Sequence, residues 1–68
     1  MSTTKIAIIG AGNVGGNLAV TFSRAGFAVK LGVRDPGKVG ELLARCQGAT
    51  ASAPDEAAAW ADVVFLAV

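Results

Sequence analysis

The chain has 68 residues, 53% of them apolar, with six basic and five acidic side chains and a net charge of +1. That length bounds it to one small domain, and the near-neutral balance excludes a nucleic-acid partner held by a basic surface. With no histidine and one cysteine, neither a zinc site nor an internal disulfide is expected, and no apolar run is long enough for a membrane span. Mean hydropathy is +0.56 and alanine is the commonest residue, a composition that suits a packed α/β core. The short polar lead Met1-Ser2-Thr3-Thr4-Lys5 has no signal-peptide pattern, and a lone thiol suits a reducing compartment, so a cytoplasmic location is expected.

In chain order the pattern predicts βαβαβαβ. Strand β1, over 5–10, is apolar on both faces, as a central parallel strand should be. The glycine-rich run Gly10-Ala11-Gly12-Asn13-Val14-Gly15 follows without a gap. It opens helix α1, over 13–25, whose apolar Val14, Leu18 and Phe22 recur every fourth position, with Gly26 as the C′ residue. Strand β2, over 28–33, alternates: Val29, Leu31 and Val33 on one face, Ala28, Lys30 and Gly32 on the other. Asp35 then reads as an N-cap and Pro36 as the first residue of helix α2, over 36–46. Val39, Leu42, Leu43 and Cys46 form its apolar stripe, so Cys46 reads as a core residue. Gly48 ends that helix, and a short strand β3 covers 49–51. Helix α3 starts at Ser52 or Ala53 and runs to 61, with Ser52 and Asp55 spaced like a capping box. Trp60 is expected to pack α3 on the sheet, with stacking on a base as the second option. Strand β4, over 63–68, is continuously apolar.

A strand, a glycine turn and a helix in that order make a phosphate-binding device. Gly10 allows the tight turn, Gly12 leaves room for a pyrophosphate, and Gly15 lets the helix lie close on the strand. The helix start offers free backbone N–H groups and the positive end of its dipole. Right-handed crossovers then place α1 and α2 on one face of a parallel sheet ordered 3-2-1-4, with α3 on the other. This is a Rossmann-type α/β fold, the N-terminal half of a dinucleotide-binding unit, and its switch point lies between β1 and β4. As an apolar edge strand, β4 suggests that 1–68 is a truncated NAD(P)-binding domain of a longer oxidoreductase, or a unit that associates with its own copies.

The end of β2 chooses the dinucleotide, since an acidic residue there binds the ribose hydroxyls of NAD and an arginine binds the extra phosphate of NADP. Val33-Arg34-Asp35 offers both. Asp35 is engaged as a helix cap, whereas Arg34 has no core role, and Lys38 is a cation in the first turn of α2, where a nearby anion would justify it. NADP is the expectation, with NAD through Asp35, or merely solvated charges, as the alternatives.

The blocks KIAIIGAGNVGGNLA, AGFAVKLGVRDPGK and EAAAWADVVFLAV resemble the NADP-binding domain of the deazaflavin (coenzyme F-420)-dependent NADP reductase family, with much of the pattern shared by pyrroline-carboxylate reductases. The resemblance runs from Lys5 to Val68. It implies a phosphate loop at Ala11, Gly12, Asn13 and Val14, and contacts to the 2′-phosphate from Arg34 and Lys38. Val33 stands where the family often has a hydroxyl residue. The candidate cofactor contacts are therefore Gly10, Ala11, Gly12, Asn13, Val14, Gly15, Val33, Arg34, Lys38 and Val68, with no catalytic residue and no metal ligand among them. The implied function is holding NADP(H) for hydride transfer to a deazaflavin or small imine. The alternative is a non-catalytic dinucleotide-binding or nucleotide-sensing module.

Overall fold

The computed structural model describes residues 3–10 and 12–67, and of Asn13, Pro36 and Lys38 the backbone alone. Four strands, β1 (Lys5–Ile9), β2 (Ala28–Gly32), β3 (Thr50–Ser52) and β4 (Val63–Leu66), form one sheet in the order β3-β2-β1-β4. Every neighbouring pair is parallel, with Ile8 of β1 opposite Leu31 of β2 and Phe65 of β4. This is the α/β class and strand order that the sequence predicts.

Helix α1 (Asn13–Arg24) lies on one face of the sheet and α3 (Pro54–Trp60) on the other. Between β1 and α1 the core is built from Ile6, Ile8, Ala19, Val29 and Leu31, with Phe22 stacked on Phe65 at a centroid distance of 5.2 Å. Helix α1 ends as its glycine predicts. Gly26 has φ 97°, its N–H donates to the Ser23 carbonyl, and the Phe27 N–H donates to the Phe22 carbonyl. The Phe22 and Phe27 rings close this Schellman end edge-to-face at 5.9 Å.

The segment after β2 departs from the predicted single helix. Pro36–Val39 is a 3-10 turn, and only Gly40–Arg45 is α-helical, the helix α2. Gly37 and Gly40 weaken an α-helix here, so the first turn tightens and Val39, at φ −105° and ψ 18°, marks the change. Val39 and Cys46 are nonetheless buried with Leu42 and Leu43 packed beside them, as the stripe requires.

Both predicted side-chain caps fail. Asp35 holds the N-cap position of the 3-10 turn but makes no capping hydrogen bond. Ser52 belongs to β3, the N-cap of α3 is Ala53, and the Ser52 hydroxyl donates to the Ala53 carbonyl instead, at 3.2 Å. In both cases a proline occupies the first helical turn, and Asp55 and Glu56 supply the negative charge at the start of α3.

Trp60 packs α3 against the sheet, as expected. Lys30 Nζ lies 4.7 Å and Lys5 Nζ 5.9 Å from its ring centroid. Lys5 begins β1, whereas the glycine turn follows its last residue, roughly 13 Å away at a strand's rise. That distance removes the base-stacking option for Trp60. Strand β4 is an edge, with Val63, Val64, Phe65 and Leu66 all exposed, Leu66 at 76%.

Candidate dinucleotide-binding site

The site is made where β1 and β2 end. Ladder hydrogen bonds continue one residue past each strand: the Gly10 N–H donates to the Gly32 carbonyl (3.0 Å), the Val33 N–H to Ser52 (2.9 Å) and the Ala67 N–H to Ile9 (2.8 Å). These bonds fix the start of the glycine turn and the start of the Val33-Arg34 segment relative to each other.

Each described motif glycine has a distinct physical reason. Gly10 has φ 103°, a region closed to most side chains. Gly15 is squeezed: an added Cβ would approach the Gly10 carbonyl oxygen closer than any real contact and lie 3.2 Å from Ala67 Cβ. Gly12 is the opposite case, since an added Cβ there would meet nothing within 4 Å. Gly12 is also the N-cap of α1, with no side-chain cap hydrogen bond and no acidic residue in the first turn. The first intrahelical bond runs from the Gly16 N–H to the Gly12 carbonyl at 2.8 Å. The backbone N–H groups of residues 13–15 therefore lack intrahelical acceptors, and they border the open space over Gly12. An anionic pyrophosphate fits that combination of free donors, positive dipole end and absent side chain.

A cleft of about 310 Å³ opens beside the turn, lined by Ile9, Gly10, Gly32, Val33, Arg34 and Pro54. It brings together three of the predicted contacts: Gly10, Val33 and Arg34. Val14 lies in the first turn of α1 and is exposed. Ala11 and Val68 lie outside the described residues, as do the side chains of Asn13 and Lys38. Ile9, Gly32 and Pro54 were not foreseen as lining residues. A glycine inside a strand signals close approach of another backbone, and Gly32 carried that signal.

Residues 5–68 match the family described as NADP oxidoreductase, coenzyme F420-dependent. The chain belongs to this family. It is also similar to NADP(+)-dependent ketol-acid reductoisomerases: 44% identical over 63 residues to that of Xylella fastidiosa (strain Temecula1 / ATCC 700964), covering 93% of this chain and 18% of the relative. The ketol-acid reductoisomerase of Clavibacter michiganensis subsp. michiganensis is 36% identical over 62 residues, covering 91% of this chain and again 18% of the relative. The chain thus spans less than a fifth of the length of the curated relatives it matches. The family and these relatives agree with NADP as the cofactor and with the coarser reading of an NADP-binding oxidoreductase domain. Among the described residues no helix is long and apolar enough to cross a membrane.

Proposed function

We propose that residues 1–68 form the NADP(H)-binding part of a larger cytoplasmic oxidoreductase, holding the cofactor for hydride transfer to a deazaflavin or small imine. The observation that carries this reading is the glycine turn, in which Gly10 and Gly15 fix the backbone and Gly12 leaves open space before unbonded helix N–H groups. Residues Gly10, Ala11, Gly12, Asn13, Val14 and Gly15 take the pyrophosphate. Arg34, beside Val33 and helped by Lys38, takes the 2′-phosphate, and Val68 is a further cofactor contact. The nicotinamide ring supplies the hydride, and what these residues contribute is position and charge. The family description supports a deazaflavin acceptor, while the ketol-acid reductoisomerases among the relatives support a ketol-acid-derived one as the second reading. The open edge of β4 suits further strands of a longer chain or a second copy.

Calorimetric titration with NADPH tests the site. The parent is expected to bind, and Gly12→Val is expected to lose binding by about a hundredfold or more, because a branched side chain fills the space assigned to the pyrophosphate, where an added Cβ meets nothing within 4 Å. Equal affinity in the two proteins rejects the phosphate-loop assignment. NADPH oxidation by the 68-residue chain is expected to stay at background with deazaflavin, imine or ketol-acid acceptors. Hydride transfer needs donor and acceptor aligned at contact distance, and the residues assigned here hold the adenosine and pyrophosphate end.

A further inference from the structure

Gly32 is the last residue of β2, two positions before Arg34, and it pairs with Ile9 on one side and Ser52 on the other. An added Cβ at this position would lie 2.6 Å from Ile9 Cδ1, 2.9 Å from Pro54 Cα and 3.3 Å from Ala57 Cβ. Ile9 Cδ1 is the end of a flexible side chain and can turn away. Pro54 Cα is backbone at the first residue of α3, and Ala57 is fully buried one turn later, so that clash is relieved only by moving the helix. Helix α3 therefore reaches the sheet here because position 32 carries no side chain.

The consequence reaches the cleft, because Pro54 is one of its walls together with Ile9, Val33 and Arg34. The aliphatic residues Ile9 and Pro54 on the Gly32 side, with the Arg34 guanidinium at the rim, match a flat heteroaromatic base with a phosphate close to it. On NADP the extra phosphate is carried by the adenosine ribose, so the end of the cofactor that meets Arg34 is the adenosine end. We propose that Pro54 is the apolar wall on which the adenosine end of NADP(H) rests, and that Gly32 is the positioning residue that seats Pro54 there. This inference rests on the NADP reading of the site given above and adds two residues to it.

Adenosine 2′,5′-bisphosphate is the probe, since it carries the base and the 2′-phosphate without the nicotinamide half. Affinities are measured well below each variant's unfolding midpoint, where losses through partial unfolding vanish. Pro54→Ala keeps the helix start and removes the ring, and is expected to weaken the probe about fivefold with the midpoint little changed. Gly32→Ala is expected to weaken it about tenfold or more. The double variant Ile9→Val/Gly32→Ala should remain as weak, because removing Cδ1 leaves the backbone clash in place. Parental affinity in Pro54→Ala overturns the proposal even if Gly32→Ala does not fold. Recovery in the double variant also overturns it, by assigning the effect to Ile9. A parent that binds neither the probe nor NADPH instead rejects the cofactor site itself, which separates the two failures.

Discussion

Gly15→Ala is expected to lower the unfolding midpoint by about 10 °C or more and to abolish NADPH binding, while Gly16→Ala leaves both intact or raises the midpoint slightly. The two glycines are neighbours in the first turns of α1 and differ only in what surrounds them. A Cβ at Gly15 collides with the Gly10 carbonyl oxygen, a backbone atom in the turn assigned to the pyrophosphate, and presses on Ala67. Overpacking of this kind costs about 1–3 kcal/mol, and in a domain this small each kcal/mol moves the midpoint by about 4–8 °C. The clash is relieved only by lifting α1 from β1 or by deforming the turn, and either displaces the donors at the helix start. At Gly16 the added Cβ meets Leu42 side-chain carbons at 3.4 and 3.6 Å, close to ordinary contact. There the substitution removes a helix-interior glycine, which stabilises by about 0.5–1 kcal/mol. Thermal unfolding followed by circular dichroism and calorimetry with NADPH read both effects. Parental stability in Gly15→Ala would mean that α1 does not pack on the turn as described.

What the sequence made legible follows from which interactions are local. The order β3-β2-β1-β4 was readable because the apolar runs at 5–10, 28–33 and 63–68 left few right-handed arrangements. The end of α1 was readable because Gly26 specifies a left-handed residue by itself. The caps misled because Asp35 and Ser52 are good cap types before a proline, yet competing local geometry decides what their side chains bond. Ser52 illustrates this: its residue is held in the β3 ladder, with its carbonyl accepting from Val33, so its hydroxyl reaches Ala53 rather than the helix start. The apolar stripe extends the predicted α2 over 36–46 because the stripe is genuine, while Gly37 and Gly40 shorten the α-helix without interrupting that periodicity.

The site divides along the same line. Gly10, Gly12 and Gly15 could be placed from their spacing, since a single strand-turn-helix unit contains all three. The cleft could not, because Pro54 joins it from 22 residues beyond Gly32, across a crossover. Such a contact depends on how closely α3 approaches the sheet, a tertiary distance. Its only trace in the sequence is a glycine at the end of a strand, directly after the larger Val29, Lys30 and Leu31.

Arg34→Ala is expected to weaken NADPH binding by about tenfold or more and to leave NADH binding nearly unchanged. Arg34 is exposed at the mouth of the cleft, the described cation among its lining residues. Charge-assisted hydrogen bonds to a phosphate contribute about 1.5–3 kcal/mol, which corresponds to about a tenfold to hundredfold change in affinity. NADH lacks that phosphate, and its pyrophosphate is assigned to the glycine turn, whose Gly10 N–H bond to the Gly32 carbonyl does not involve Arg34. Arg34→Lys should recover only part of the loss, since an ammonium retains the charge but not the guanidinium's paired donors. Because the group is exposed, rising salt should erode the parent's preference for NADPH and leave that of Arg34→Ala almost flat. The two salt series distinguish a phosphate contact from a fold defect: a defect lowers NADPH and NADH affinity together at every salt concentration, and that result would remove Arg34 from the cofactor site.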